Sequence, residues 1–411
     1  MLALPVGRIA IGFLVLTGLA LPAAAATETV LYSFTNLDGA YPEGNVYLHS
    51  GSLYGTGEGD PLDKGDYGQV FKLTKSGDSW KEKSVLVFNG ADGAWPEAGL
   101  IRDSSGDLYG TTSTGDAYDG GNVFELYRSG GKWVEHTVWA FGGTADDGTL
   151  PLCDLVMDKS GNIFGTTFEG GTDNVGTVFE LSNTGGVWSE TVLHSFGADG
   201  DGWEPYAGLL TDGSGTFYGT TIYGAEGRGG EGTIFELFRF RGAWKEKVLY
   251  TFTGGADGGE PMGTLIMDEN GNLYGTTYAG GVSNFYSDVG TVFELARSGD
   301  RWKEKVLHDF GGEGDGWNPR AGLTWGPSGQ LYGTTSTGSG IVFELTQSGG
   351  AWNEIILHKF GVHPDDSSTG AESGDGSSPY GGVILDQDGD LYGTTTEGGS
   401  DNLGTVWEIT P

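Results

Sequence analysis

The stretch Asn272-Leu-Tyr-Gly-Thr-Thr277, followed by Gly290-Thr-Val-Phe-Glu-Leu295, decides the fold because both segments recur along the whole chain. The Leu-Tyr-Gly-Thr motif, with conservative variants, is spaced by about 55 residues, and a fixed period of that size indicates a repeat architecture. It occurs seven times, with its glycine at Gly55, Gly110, Gly165, Gly219, Gly275, Gly333 and Gly393. The chain is therefore built from seven copies of one unit.

Two further motifs complete each unit. Asp-Gly-x-x-Pro also occurs seven times, and Trp-x-Glu with a Phe six residues after the Glu has six complete copies, from Trp80–Phe88 to Trp352–Phe360. The motifs are rich in β-branched and aromatic residues and are separated by Gly, Asp, Ser and Asn clusters, so each unit predicts four short strands. Four strands in each of seven units predict an all-β fold, a seven-bladed β-propeller.

The incomplete copy of Trp-x-Glu indicates how the ring closes. Residues 28–34 reproduce this motif from its Glu onward, whereas the chain ends at Pro411, just after the seventh Val-Trp-Glu-Ile. We expect the N-terminal strand 28–34 to pair with the last blade, which makes residues 27–411 a single propeller domain. The Pro-led strand should be innermost, because it carries a small residue two places after each Pro, as at Gly44 and Ala98.

The N-terminus predicts export. Arg8 precedes an apolar run from Ile9 to Leu21, and Ala24 and Ala26 satisfy the small-residue rule for cleavage, so residues 1–26 are expected to be a signal peptide cleaved near Ala26. No other run approaches the roughly 20 apolar residues of a membrane span. The predicted location is secreted, either extracellular or periplasmic.

Charge and cysteine content narrow the possible partners. The chain has 21 basic and 56 acidic residues, a formal charge of −35, which disfavours nucleic acid and anionic membrane surfaces as partners. Cys153 is the only cysteine, so no intramolecular disulfide forms, and its place in a small-residue position favours a structural role.

The quoted motifs resemble those of the GloVer tandem-repeat family of secreted bacterial proteins, some of which carry C-terminal surface anchors. The resemblance covers essentially the whole chain after the signal peptide. It implies the repeat fold and export, and it implies no particular activity.

The ligand-binding residues predicted from the sequence lie in the Asp-Gly-x-x-Pro loops, which should share one face with the variable loops after Thr-Thr. Aromatic rings can stack on sugars while polar neighbours orient hydroxyl groups, although the same rings can instead pack between blades. The candidates are Tyr41, Trp95, Trp203, Glu204, Trp317 and Asn318. The aspartates of these loops are expected to close turns, with a ring of cation ligands as the alternative.

Other acidic and histidine residues have structural interpretations. The segments 268–272 and 386–390 lack the full spacing of a calcium loop and predict hairpin turns. Glu236 and Glu246, which recur in most units, predict cross-strand charge pairs with Lys245 and Lys247. The histidines at positions 194, 308 and 358 fall in different blades, too far apart for one metal ion, so neither a metal site nor a cofactor is predicted.

Three functional hypotheses remain open. The first is a non-catalytic propeller that binds extracellular polysaccharide through its variable-loop face. The second is an enzyme, a polysaccharide lyase or glycoside hydrolase, which would use carboxylates such as Glu204 or Asp201; no catalytic motif identifies its residues. The third is a cell-envelope scaffold for protein interactions. The sequence leaves the oligomeric state undetermined.

Overall fold

The structure, a computed structural model, contains thirty β-strands, numbered here along the chain, and no helix in its described part. It describes residues 26–35, 39–59, 65–77, 79–198, 200–224, 230–282, 288–299, 301–312, 314–338, 340–361 and 374–411. The expected signal peptide lies outside these ranges except for its last residue. No helix among the described residues is long and apolar enough to cross a membrane.

Seven antiparallel sheets of four strands form the blades, as predicted. From the innermost strand outward, blade 1 comprises Tyr47–His49 (β2), Ser52–Gly57 (β3), Gln69–Ser76 (β4) and Ser79–Val87 (β5). Blade 2 comprises Ile101–Arg102 (β6), Leu108–Thr112 (β7), Asn122–Ser129 (β8) and Lys132–Ala140 (β9). Blade 3 comprises Val156–Met157 (β11), Ile163–Thr167 (β12), Thr177–Thr184 (β14) and Val187–Ser195 (β15). Blade 4 comprises Leu210–Thr211 (β16), Phe217–Thr221 (β17), Thr233–Phe240 (β18) and Ala243–Thr251 (β19).

The remaining blades follow the same order. They comprise Ile266–Met267 (β20), Leu273–Thr277 (β21), Thr291–Ser298 (β22) and Arg301–Asp309 (β23) in blade 5; Thr324–Trp325 (β24), Leu331–Thr335 (β25), Ile341–Ser348 (β26) and Ala351–Lys359 (β27) in blade 6; Ile384–Leu385 (β28), Leu391–Thr395 (β29), Thr405–Thr410 (β30) and Thr27–Ser33 (β1) in blade 7. A separate two-stranded ladder joins Gly148–Thr149 (β10) to Glu169–Gly170 (β13).

The N-terminal strand closes the ring, as the split motif predicts. β1 pairs antiparallel with β30, from Thr27 opposite Thr410 to Ser33 opposite Thr405. A register shift between Val30 and Tyr32 in β1 matches the bulge near the end of the outer strand in the other blades, for example between Val178 and Phe179 opposite β15. Seven equivalent blades therefore arise although the chain begins and ends within one of them.

The innermost strands are shorter than the sequence predicts. In blade 2 the ladder includes only Ile101 and Arg102, whereas the preceding residues from Pro96 onward are outside it. Proline has no N–H for a ladder, and the small residue two places later lies where neighbouring blades meet at the axis. A Cβ atom on Gly263 would lie 2.6 Å from the carbonyl carbon of Ala321, so the small side chain is a steric requirement there.

Contacts between strands explain the repeated Gly-Thr and Phe-Glu motifs. Gly110 lies directly opposite Phe124, and a Cβ atom on this glycine would lie 2.6 Å from the end of the aromatic ring. The next residue in the motif links neighbouring blades: the Thr166 hydroxyl donates a hydrogen bond to the Ala207 carbonyl of blade 4 over 2.9 Å. The repeat motifs therefore encode both the packing within a blade and the contact between blades.

The hydrophobic core lies between the blades. Each of seven buried clusters combines residues of adjacent blades, and the one between blades 1 and 2 includes Val70 and Phe88 together with Leu108 and Phe124. This arrangement requires every blade to have a neighbour on both sides, which a closed ring provides.

Candidate functional site

The seven Pro-led segments surround a central channel with a cavity of about 260 Å³. Most of its lining comes from the first three residues after each proline. We call the ring formed by the first of these residues the channel mouth. The small residues that follow it narrow the channel.

A polar network crosses the channel below the mouth. The Asn45 side chain donates to Asp154 Oδ2 over 2.9 Å, and the Gly99 N–H donates to the other carboxylate oxygen over 2.7 Å. The Gly382 N–H in turn donates to Asn45 Oδ1 over 2.6 Å. Burial raises the pKa of Asp154, and the hydrogen bonds from Gly99 and Asn45 oppose that increase. The network links four blades and forms a polar floor beneath the mouth.

The residue at the channel mouth varies around the otherwise regular ring, with five residue types at seven positions. It is formed by Glu43, Glu97, Leu152, Tyr206, Met262, Arg320 and Tyr380. The preceding proline is present in all seven units and the following residue is always small or the buried Cys153, so the fold constrains those positions strictly. The residue between them is free of that constraint, so its side chain can differ from blade to blade.

Arg320 connects the two tyrosines of the mouth. Its Nη2 atom donates to the Tyr206 hydroxyl over 3.2 Å, and its guanidinium carbon lies 4.1 Å from the centre of the Tyr380 ring. Burial raises the pKa of Tyr206 to about 12, so this phenol is protonated at neutral pH. Stacking and hydrogen bonding therefore hold the Arg320 guanidinium group in place and fix its orientation.

Three carboxyl groups interact in this region: Glu43 and Glu97 of the mouth, and Glu58, which interacts with both of them. Burial, reinforced by Glu43, raises the pKa of Glu97 to about 7, although a hydrogen bond to Ser113 and the charge of Arg320 oppose the change. Burial, together with Glu43 and Glu97, raises the pKa of Glu58 to about 8. Burial also raises the pKa of Glu43, against the opposing charge of Arg320. At neutral pH this region therefore offers a mostly protonated carboxyl group, Glu58, and a partly protonated one, Glu97, which also interacts with the charge of Arg320.

The aromatic candidates from the sequence are half-buried residues of different blades. Tyr41, Trp203 and Trp317 each pack against the apolar cluster of their own blade interface. Trp95 precedes Pro96, adopts a positive φ of 57°, and donates its backbone N–H to the Tyr67 carbonyl over 3.0 Å. The contacts of Tyr41, Trp203 and Trp317 supply the packing role that the sequence left open, and sugar stacking by the candidate rings stays a prediction.

The two polar candidates hold neighbouring loops together. Glu204 and Asn318 also precede proline with a φ of 57°, and the Glu204 N–H donates to the Val175 carbonyl over 2.8 Å. The Asn318 amide donates to the Tyr278 carbonyl over 2.9 Å. These contacts join each Asp-Gly-x-x-Pro loop to the variable loop of the preceding blade, which confirms that both kinds of loop share one face.

The aspartates of these loops close turns. The Gly311 N–H donates to Asp315 over 3.0 Å, and the Gly143 N–H donates to Asp147 over 3.1 Å. The segments 268–272 and 386–390 are hairpin turns, in which the first aspartate accepts backbone N–H groups. Asp38 lies outside the described residues. The aspartates belong to separate blade interfaces, so they do not converge on one cation at the axis.

The Trp-x-Glu glutamates occupy a different place from the predicted one. Glu246 points into the blade interface, where its carboxylate lies within 4.8 Å of ligand atoms of His194 and Asp201, while Lys245 and Lys247 are exposed. Only Glu236 has the expected cross-strand partner, since it lies directly opposite Lys247. Alternation along the strand explains the difference, because Trp244 and Glu246 share its inward face.

Cys153 is buried, and its sulfur lies 3.2 Å from the Thr166 N–H, which donates to it. Burial raises the pKa of this thiol to about 11, so it is protonated at neutral pH, as expected of a structural residue.

Sequence reasoning missed the channel mouth, including Arg320, Tyr206 and Tyr380. The available signal was variation at the residue after each proline. A regular innermost strand, as predicted, gives this residue no distinct role.

Comparison with solved structures supports the fold. The periplasmic gluconolactonase PpgL of Pseudomonas aeruginosa superposes with a TM-score of 0.52 at 12% identity, covering 89% of this chain and 96% of that one. A protein from Lactobacillus plantarum gives a TM-score of 0.50 at 14% identity, covering 76% and 83%. At these identities the likeness concerns the fold alone. No curated protein matches the chain in sequence.

The model of the Gloeobacter/Verrucomicrobia repeat matches residues 20–226, 156–372 and 226–411. These overlapping matches include every blade described above. The chain therefore belongs to the Gloeobacter/Verrucomicrobia repeat family.

Proposed function

We propose that this protein binds a carbohydrate at the channel mouth. The observation that carries the proposal is the break in sevenfold symmetry there: one arginine, two tyrosines and two glutamates replace one another at equivalent positions around a single opening. A sugar presents hydroxyl groups that both donate and accept hydrogen bonds, and the mouth offers guanidinium, phenol and carboxyl groups as partners.

The loop residues predicted from the sequence lie on the same face as the mouth. We assign Trp95, Trp203 and Trp317 as outer contacts of a longer glycan, because half-buried indoles retain an accessible ring surface. Extracellular polysaccharide is therefore the proposed partner. We also propose export, with cleavage near Ala26, on the basis of the N-terminal sequence, and N-terminal sequencing of the secreted protein tests it.

Isothermal titration calorimetry with neutral and acidic oligosaccharides tests the binding proposal. We expect saturable binding that weakens roughly tenfold or more in Arg320→Lys, because charge-assisted hydrogen bonds contribute about 1.5–3 kcal/mol and lysine lacks the planar fork. Arg301→Lys, at an exposed position that begins β23, is the matched control and should bind normally. No binding across the panel, or equal loss in both variants, would reject the mouth as the site.

Catalysis is a second candidate function because Glu58 and Glu97, with pKa values of about 8 and 7, carry protons near neutral pH. A protonated carboxyl group can act as a general acid on a glycosidic oxygen. Incubation with each polysaccharide, followed by measurement of new reducing ends and of unsaturated products, separates a hydrolase from a lyase. Turnover that is lost in Glu97→Gln would establish an enzyme, whereas binding without turnover would establish a recognition module. Failure of both would favour the interaction scaffold.

A further inference from the structure

Three of the seven blade interfaces carry a histidine at the same position of the outer strand. In each case its Nε2 atom faces Oδ2 of the aspartate in the following Asp-Gly-x-x-Pro loop. The separations are 2.9 Å for His194 and Asp201, 3.6 Å for His308 and Asp315, and 3.2 Å for His358 and Asp375. These contacts connect the last strand of one blade to the first loop of the next.

A glutamate from the next outer strand completes each group, which we call a histidine trio. Glu246 joins His194 and Asp201, and Glu354 joins His308 and Asp315. Within each of these two trios the nitrogen and the carboxylate oxygens all lie within 4.8 Å of one another. Glu28 of β1 has the equivalent position beside His358.

The trio of His308 has the geometry of a metal site. Its Nε2 atom lies 3.6 Å from Asp315 and 3.7 Å from Glu354 Oε1, both too long for a hydrogen bond. Yet Nε2 and Oε1 are buried and have no hydrogen-bond partner. In a tetrahedral centre with bonds of about 2.0–2.2 Å, neighbouring ligand atoms are separated by roughly 3.4 Å. The separation of these two unpaired polar atoms therefore fits coordination of an ion between them better than a direct hydrogen bond.

The surroundings hold these side chains in position. The second carboxylate oxygen of Asp315 accepts a hydrogen bond from the Gly311 N–H over 3.0 Å. The His308 ring packs edge-on against Phe310, with centroids 4.8 Å apart. Such secondary contacts fix ligand orientation in metal sites.

The neighbouring interface provides a comparison within the same molecule. Tyr250 occupies the histidine position there, and its hydroxyl donates to Asp257 Oδ2 over 2.9 Å. The longer phenol therefore reaches the aspartate with an ordinary hydrogen bond. Histidine at this position is not required for the fold of the interface.

We propose that the trio of His308, Asp315 and Glu354 binds a divalent transition-metal ion of the Zn²⁺ or Co²⁺ class between blades 5 and 6. One imidazole and two carboxylates suit such ions, whereas Ca²⁺ prefers oxygen ligands alone. The ion offsets the charge of the buried Asp315 and the half-buried Glu354, which would otherwise repel one another. In the trios of His194 and His358 the histidine instead lies within hydrogen-bond distance of the aspartate, at 2.9 and 3.2 Å.

Co²⁺ titration of the metal-stripped full chain, purified without a polyhistidine tag, tests the proposal. We expect a visible ligand-field band and one fewer bound ion in His308→Tyr, which copies the Tyr250 interface and should fold normally. Glu354→Gln should retain the site but bind at least tenfold more weakly. His136→Tyr, which changes a half-exposed histidine outside the trios, should match the wild type.

Thermal unfolding provides a second readout. Zn²⁺ should raise the Tm of the wild type more than that of His308→Tyr, and a chelator should remove the difference. An unchanged number of bound ions in His308→Tyr would overturn the proposal. The absence of Co²⁺ binding in the wild type would also overturn it. In that case, a His308→Tyr variant that altered only the pH dependence of Tm would identify the trio as a proton-sharing contact.

Discussion

Glu190 should make the propeller more stable in mild acid than in mild base. It lies on β15 at the interface of blades 2 and 3, with one carboxylate oxygen buried and unpartnered. Burial, reinforced by the charge of Asp147, raises its pKa from 4.5 to about 7. The folded state therefore binds the proton more tightly than the unfolded chain, so the stabilisation is complete below pH 4.5 and is lost as the pH rises through 7.

The replacement Glu190→Gln keeps the shape of the protonated side chain at every pH. The difference between 4.5 and about 7, at about 1.36 kcal/mol for each pKa unit, sets an upper bound of about 3 kcal/mol at pH 8. Because the side chain retains contact with solvent, screening reduces this to roughly 1 kcal/mol. The variant should therefore be more stable than the wild type by roughly 1 kcal/mol at pH 8, and nearly equal to it at pH 5.

Urea unfolding followed by tryptophan fluorescence, at pH 5 and pH 8 in the presence of a chelator, measures this difference. Glu269→Gln is the control, since Glu269 is exposed in a hairpin turn and its replacement should change neither value. Equal stability of Glu190→Gln and the wild type at pH 8, or a larger gain at pH 5, would refute the reasoning.

Three further predictions concern the fold. Gly110→Ala should lower the free energy of unfolding by about 1–3 kcal/mol in urea titrations, because its Cβ would meet the facing aromatic ring, whereas Gly374→Ala in open space should be neutral. Thr166→Val should cost about 1 kcal/mol by losing a hydrogen bond between blades, while Thr220→Val should cost nothing or stabilise, since the Thr220 hydroxyl is buried without a partner; equal costs would contradict this. Deletion of residues 27–33 should abolish cooperative thermal unfolding in calorimetry, because β30 would lose its outer neighbour; a normal transition would show that the ring closes without it.

The sequence determines the architecture of this protein to a large extent. Seven copies of each motif set the number of blades, and the displaced strand at residues 28–34 sets how the ring closes. These features can be recognised in the sequence because every blade has the same local requirements for strand formation and packing, such as a glycine opposite each large aromatic residue. Such patterns can be recognised in the sequence because each motif depends on residues close to it in the chain and on contacts with one adjacent strand or blade.

Only the tertiary structure decides which residues form a site. Tyr206 and Arg320 are separated by two full units in sequence, yet they touch because the ring brings the residue after every proline to one axis. In the same way, Glu246 meets His194 because the outer strand turns its alternate side chains towards the previous blade. The repeat motifs contain the residues that all blades share. A site is formed by residues that differ between blades. Those residues come together only because the circular arrangement places them around one axis.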